Sequence, residues 1–283
     1  MKSLTDPYIL ANGVQIPCIG FGTWQVEEGE EARKSVLAAL EAGYRHIDTA
    51  QGYANEASVG QAVKDSGLSR SEVFITSKLG NNIRGYQQTL DAFQASLDRL
   101  QTDYMDLFLI HWPRPVMFKD DWEQQNAETW RAFETLYQEE KLRAVGISNF
   151  HPHHIEALLK TATVAPMVNQ IRLAPGDTQD EVVDYSREKG MLLEAYSPLG
   201  VGKVMEVPQM KELARKYGKS IAQIAIRWSL QRGYLPLPKS VTPARIQENA
   251  QVFDFELTPE DVQLIADLKG VVGFSADPDT ITW

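Results

Sequence analysis

VFITSKLGNNIRGYQQTLDAFQASLDRLQTDYMDLFLI, from Val73 to Ile110, carries the pattern that decides the fold. A short apolar run, Val73 to Thr76, is bounded by turn residues. A stretch of helical period follows, Gln87 to Leu100, and a second apolar run, Met105 to Ile110, completes the unit. Strands that alternate with helices run parallel, with the helices packed over their faces.

The same alternation extends in both directions. Upstream, Ile19 to Gly22 precedes Glu30 to Ala42, and Tyr44 to Ile47 precedes Glu56 to Lys64. Downstream, a helix at Trp122 to Gln138 follows Met105 to Ile110, Ala144 to Ile147 precedes His153 to Lys160, and Pro166 to Val168 precedes Gln179 to Lys189. Leu192 to Ala195 leads into helical material from Gln209 to Gln231, and Tyr234 to Leu237 into Pro243 to Val252. Eight strand–helix units in about 250 residues predict a (β/α)8 TIM barrel. Before the first unit, Asn12-Gly13 lies between the apolar ends of Tyr8 to Pro17 and predicts an N-terminal β-hairpin with a type I′ turn. No linker or low-complexity tract interrupts the series, so residues 1–283 are expected to form one domain. A doubly wound nucleotide-binding sheet would carry G-x-G-x-x-G after its first strand. Here Gly20-Phe21-Gly22 runs into Thr23-Trp24-Gln25, without the third glycine.

Composition narrows the function. The 283 residues include 28 basic and 38 acidic side chains, a net charge of −10, which argues against nucleic acid or an anionic membrane as partner. No apolar run has the roughly 18 residues needed to span a bilayer, and the N-terminus does not read as a secretory leader. The lone Cys18 excludes an intrachain disulfide and any zinc site with two thiolates. It suits a reducing compartment and a buried position. A cytoplasmic protein is expected, with a monomer as the default.

Barrel chemistry sits where the strands end, so the first polar residues after each apolar run are the candidates. They are Thr23-Trp24, Asp48-Thr49, Ser77-Lys78, His111-Trp112, Ser148-Asn149, Asn169-Gln170, Tyr196-Ser197 and Lys239-Ser240. Asp48, Lys78 and His111 are titratable groups on successive strand ends, and Tyr53 follows Asp48 in a loop short enough to return over the rim. This is the form of an acid–base site. A tyrosine holds its proton too tightly for exchange at neutral pH. A neighbouring ammonium is expected to lower its pKa, and a carboxylate to keep that ammonium charged and in place. His111 is then free to donate to a carbonyl oxygen. Trp24 and Trp112 on the same rim suggest an apolar pocket wall.

A second cluster follows the last strand. Thr242 and Pro243 read as N-cap and first residue of a helix, which puts Arg245 at the third helical position. Helix N-termini favour acids, so Arg245 with Lys239 and Ser240 points to a bound anion such as phosphate. From Leu213 to Gln247 there are seven basic residues and no acid: Arg215, Lys216, Lys219, Arg227, Arg232, Lys239 and Arg245. Only Lys239 and Arg245 are assigned to the ligand. His151, His153 and His154 resemble a metal cluster but open a helix and lack an acidic ligand set in sequence, so no metal is assigned. A metal at His46-x-Asp48 would leave Tyr53 and the basic cluster unexplained.

Three stretches resemble the signatures of the aldo-keto reductases: GYRHIDTAQGYANE at Gly43–Glu56, MDLFLIHWP at Met105–Pro113, and LPKSVTPARIQEN at Leu237–Asn249. The resemblance implies a barrel that binds NADPH and reduces aldehydes, ketones or dicarbonyls. It matches Tyr53 to the general acid, Asp48 and Lys78 to its charged supports, and His111 to the carbonyl-orienting residue. Ser148, Asn149 and Gln170 match the nicotinamide carboxamide contacts, and Tyr196 the ring stacked on the nicotinamide. Ser197 and Leu199 match pyrophosphate contacts; Lys239, Ser240 and Arg245 match contacts to the adenosine 2′-phosphate, with Glu248 and Asn249 near the adenine. Thr23 and Val241 belong to the same cofactor set, and Trp24 and Trp112 to the substrate pocket. The short stretch between His111 and Trp130, and the brief tail after Leu268, look like bacterial members resembling 2,5-diketo-gluconate reductases, which implies an open pocket. Where many relatives have Glu-x-His after Asn-Gln-Ile/Val, this chain has Arg172-Leu173-Ala174.

Two alternatives remain at this point. A lysine at a barrel strand end also suits Schiff-base chemistry, which would make Lys78 the nucleophile of an aldolase. A cofactor-binding regulatory subunit would keep the barrel without turnover.

Overall fold

The computed structural model describes residues 1–283. It opens with β1 (Pro7–Ile9) and β2 (Gln15–Pro17), paired antiparallel with Tyr8 opposite Ile16. Their connection is not the type I′ turn expected at Asn12-Gly13, which requires positive φ at both central residues. Gly13 has φ 85, whereas Asn12 does not enter the left-handed region. The Gly13 N–H donates to Leu10 O (2.8 Å) and the Leu10 N–H to Val14 O (2.9 Å), the pattern of a type I turn followed by a left-handed glycine. Asn12 is held by its side chain, whose Nδ2 donates to Arg143 O at 2.9 Å while its Oδ1 accepts from Val14 N. The Tyr8 hydroxyl donates to Tyr234 O (3.1 Å), and Leu10 and Ile16 join the main apolar core. The hairpin therefore covers the N-terminal end of the barrel.

The barrel strands are β3 (Phe21–Gly22), β4 (His46–Asp48), β5 (Phe74–Leu79), β6 (Met105–Ile110), β7 (Leu142–Ser148), β8 (Val168–Arg172), β9 (Leu192–Tyr196) and β10 (Leu235–Leu237). Each pairs in parallel with the next. The ring closes from β3 to β10 through Gly20 N to Pro236 O and Gly22 N to Pro238 O, both 3.0 Å. A Cβ on Gly20 would lie 2.6 Å from the His46 ring, and one on Gly22 3.1 Å from Leu237 O. The two glycines thus serve the barrel seam and not a phosphate loop.

Helices α1 (Glu30–Glu41), α2 (Glu56–Asp65), α3 (Tyr86–Leu100), α4 (Trp122–Gln138), α5 (Pro152–Leu159) and α6 (Asp180–Glu188) cover the outside. The helical material from Gln209 to Gln231 divides into two helices, α7 (Pro208–Tyr217) and α8 (Ile221–Gln231). Gly218 at φ 63 ends the first, and Ser220 opens the second by accepting from Gln223 N in a reciprocal capping box. α9 (Pro243–Ala250) follows β10, and α10 (Pro259–Ala266) was not anticipated, although Thr258 caps it by accepting from Asp261 N.

Every residue of β5 and β6 is buried, as parallel strands covered on both faces require. Alternation decides which side each residue serves. Ser77 turns outward to Glu56 Oε1 (2.6 Å) and Asn169 to Ser186 Oγ (3.1 Å), while Asp48, Thr76, Lys78, Gln170 and Glu194 turn inward and bond to one another or to His46.

Candidate active site

At the C-terminal mouth of the barrel, Lys78 Nζ donates to both Asp48 oxygens (2.7 and 2.9 Å) and to Thr49 O (2.9 Å). It has no exposed surface. The 3₁₀ turn Gln51–Tyr53 brings Tyr53 back over the rim, with its ring centre 4.9 Å from Lys78 Nζ. The His111 ring meets it edge-on at 5.7 Å. The four residues that the sequence placed on separate segments therefore converge.

Their electrostatics differ from expectation in one respect. Burial holds the Tyr53 phenol above its ordinary pKa, and the opposing pull of Lys78 does not overcome it. The ammonium was expected to lower the value, but its charge is shared with Asp48, which itself disfavours phenolate. Tyr53 thus keeps a proton to give at neutral pH. For Lys78, burial favours the neutral amine, but Asp48 and Tyr53 outweigh it and raise the pKa. An ammonium that makes three hydrogen bonds to Asp48 and Thr49 O and does not line the groove is not the free amine that imine formation needs, so the aldolase reading fails. Burial, then Lys78 and Arg84, push His111 well below its ordinary value, leaving a neutral ring. Arg84 was missed in sequence; its buried guanidinium donates to the carbonyls of Gly80, Ile83 and Trp112 and fixes the loops after β5 and β6.

A groove of about 1600 Å3 runs from this centre. Asp48, Tyr53 and His111 line it, as do Trp24, Trp112, Ser148, Asn149, Gln170, Tyr196, Ser197, Leu199, Lys239, Ser240, Arg245, Glu248 and Asn249. Two residues expected in the cofactor set do not. The Thr23 hydroxyl faces the protein, donating to Asp48 O (2.9 Å), and Val241 is exposed outside the groove. Ser148 Oγ donates to Gln170 O, and Asn149 Nδ2 donates to His111 O and Ser148 Oγ while its Oδ1 accepts from Tyr196. Asn149 (φ 61) after β7 and Ser197 (φ 49) after β9, strand ends on either side of β8, adopt the left-handed conformation, where local strain often accompanies function.

At the far end of the groove the basic segment separates into two groups. Lys216 pairs with Asp261, Lys219 with Asp254, Arg227 with Glu256 and Arg232 with Asp180. Lys239 and Arg245 have no acidic partner and line the groove, and Arg215 lies exposed on α7. Thr242 occupies the N-cap position of α9 without a side-chain cap, and Ser240 Oγ accepts its N–H (3.1 Å). Unpaired cations at an open helix start fit an anionic group.

The histidine cluster acquires a carboxylate that the sequence did not reveal. Asp279 lies 3.0 Å from His153 Nε2 and 3.3 Å from His154 Nε2, and Arg114 joins it at 3.3 Å. His151 N–H donates to His154 Nδ1, so the proton of neutral His154 sits on Nε2 and points at Asp279. The cluster holds the C-terminal segment by hydrogen bonds. Arg172 holds the same segment by donating to Val272 O (2.8 Å) and Gly273 O (3.2 Å) while pairing with Asp177. This seats Trp283 on the groove, edge-on to Trp112 at 5.7 Å.

A closed parallel barrel with an acid–base centre at its mouth and an anion-ready groove defines a class of cofactor-dependent barrel enzyme. The family model of the Aldo/keto reductase family matches residues 18–269, and the chain belongs to that family. It is 48% identical to glyoxal reductase of Bacillus subtilis over 99% of this chain and 98% of that protein. Among solved structures, an aldo/keto reductase from Brucella melitensis matches with TM-score 0.89 and 44% identity, covering 95% of this chain and 100% of the other. A Bombyx mori aldo-keto reductase in complex with NADP matches with TM-score 0.87 and 35% identity, covering 96% and 94%. The protein is an NADPH-dependent oxidoreductase that reduces carbonyl compounds to alcohols. No helix is long and apolar enough to cross a membrane.

Proposed function

We propose that Tyr53 protonates the oxygen of a small aldehyde, ketone or dicarbonyl, held at the mouth of the barrel between Trp24 and Trp112. The observation that carries this reading is the Tyr53 ring over a buried, doubly bonded Asp48–Lys78 pair. Bound NADPH supplies the hydride. The residues that fit it are Lys239, Ser240 and Arg245 for the 2′-phosphate, Glu248 and Asn249 for the adenine, Ser197 and Leu199 for the pyrophosphate, Tyr196 for stacking, and Ser148, Asn149 and Gln170 for the carboxamide.

The neutral His111 ring donates to the carbonyl oxygen and fixes its direction. Tyr53 then gives its proton to that oxygen as negative charge develops, and Lys78 stabilises the resulting phenolate. Asp48 keeps Lys78 charged and positioned. The name of the Bacillus subtilis relative, glyoxal reductase, supports dicarbonyls among the substrates. The single cysteine suits a cytoplasmic location and the acidic net charge disfavours nucleic acid or an anionic membrane as partner, with a monomer as the default.

The test is NADPH consumption across a carbonyl panel that includes glyoxal, with Tyr53→Phe as the variant. Loss of general acid catalysis should lower kcat by about 10² to 10⁴ with NADPH affinity unchanged. Turnover equal to that of the unmodified enzyme would remove Tyr53 from the mechanism.

A further inference from the structure

One buried acid takes no part in the reaction described above. Glu194 lies within β9, fully buried and directly opposite Gln170 of β8. Its Oε2 accepts from Gln170 Nε2 at 2.7 Å, and the same nitrogen donates to Asp48 Oδ2 at 2.8 Å. A primary amide has two N–H donors, and these acceptors occupy both. Glu194 Oε1 has no partner; His46 Nε2 stands 3.8 Å away and is engaged with Thr76 Oγ1 at 2.9 Å. A buried carboxyl is costly unless bonded, and this one is bonded only through Gln170.

We propose that Glu194 is a positioning residue: together with Asp48 it holds both amide hydrogens of Gln170 inside the barrel, so that Gln170 presents only its carbonyl oxygen to the groove. The two hydrogen bonds that the Gln170 side chain makes within the protein are both from its nitrogen, and Gln170 lines the groove. The chemistry it selects is an N–H donor, the carboxamide of the nicotinamide. The inference rests on the cofactor reading above. Ser148 and Asn149 already direct their donors to protein acceptors, which leaves the Gln170 oxygen as the uncommitted acceptor at that place.

The groups facing Glu194 are Asp48 and His46 from β4, Lys78 from β5 and Gln170 from β8. Burial, followed by the Asp48 charge, pushes its pKa up to about 8. That shift disfavours a second anion beside Asp48, and Oε2 accepts the amide hydrogen in either protonation state, so the arrangement needs an acceptor oxygen and not a charge. Without that oxygen, one Gln170 N–H is left unbonded in the barrel and turns to the groove, where it opposes the donor of the carboxamide.

The experiment compares Glu194→Gln, which keeps an acceptor oxygen, with Glu194→Leu, which removes it. Binding of NADPH and of its acetylpyridine analogue, which has no carboxamide N–H, is titrated by quenching of protein fluorescence. The leucine variant should lose about tenfold in NADPH affinity, the scale of one hydrogen bond with an unsatisfied partner, and be nearly unchanged toward the analogue. The glutamine variant should match the parent within about twofold for both, the spread of a neutral exchange. Equal loss for the two cofactors, or a tenfold loss in the glutamine variant, overturns the proposal. The glutamine variant decides this even if the leucine variant does not fold. Failure of the unmodified protein to bind NADPH is a separate outcome that removes the cofactor reading and this inference with it.

Discussion

The two ends of the groove are built on opposite rules. At the barrel mouth every charge has an internal partner: Asp48 accepts from Lys78 and Gln170, and Lys78 has no exposed surface. At the α9 end, Lys239 and Arg245 have none, although four neighbouring cations in the same segment are matched with acids. Groups that move a proton act best when fixed and dry, where electrostatic interactions are strong and need no reorganisation. Groups that receive an anion must be left unpaired, because the ligand brings the opposite charge.

The largest test of this contrast is Lys78→Met. It leaves a buried Asp48 carboxylate without its cation, so stability should fall by about 3–5 kcal/mol, measured by denaturant unfolding. A loss below about 1 kcal/mol, the level of a surface pair, would break the contrast.

Next comes the acid limb of stability. His46 is wholly buried, and burial followed by Lys78 depresses its folded pKa to about 3 from an ordinary 6.5. Between those values the unfolded chain binds the extra proton, so the stability that neutral His46 contributes is complete above pH 6.5 and falls as the pH drops toward 3. Over that range the His46 contribution is on the order of several kcal/mol, and His46→Gln should make the acid limb shallower in thermal melts taken from neutral to acid pH, without abolishing it, because His111 and His154 are depressed in the same direction. Glu194 acts in the opposite sense. Its folded pKa is raised to about 8 from 4.5, so ionisation opposes folding as the pH rises through that window.

At the open end, Arg245→Ala should weaken NADPH about tenfold or more, as expected for a charge-assisted contact, and leave NADH nearly unchanged. Added salt should erode the difference. Equal loss of both cofactors would remove the 2′-phosphate from this end. The smallest effect belongs to Lys216→Ala. Its pair with Asp261 is more than half exposed on the lysine side, so the change should cost less than about 1 kcal/mol and leave NADPH affinity unaltered. A shift in affinity would show that the basic segment acts as a whole.

The barrel was legible because strand and helix periods are local, and so were most of the residues that line the groove, because strand ends in this fold deliver polar groups to one rim. Legibility stopped where direction or partnership mattered. Thr23 is a polar strand-end residue like the others, but its hydroxyl turns to Asp48 O. The three histidines gave no hint of Asp279, which the tail brings to them across 125 residues. Glu194 drew no attention within an apolar run; its meaning depends on Gln170, whose amide also bonds Asp48, 122 positions earlier.

By itself, then, the sequence determined the barrel, its hairpin and the strand ends and turn that carry Asp48, Tyr53, Lys78 and His111, through periodicity and turn chemistry confined to a few neighbouring residues. Tertiary structure decided the shape of the hairpin turn, which cations stay free for a ligand, and whether Lys78 or burial governs the Tyr53 proton. Those outcomes depend on distance and burial between residues far apart in the chain, and they exist only once the ring of strands has closed.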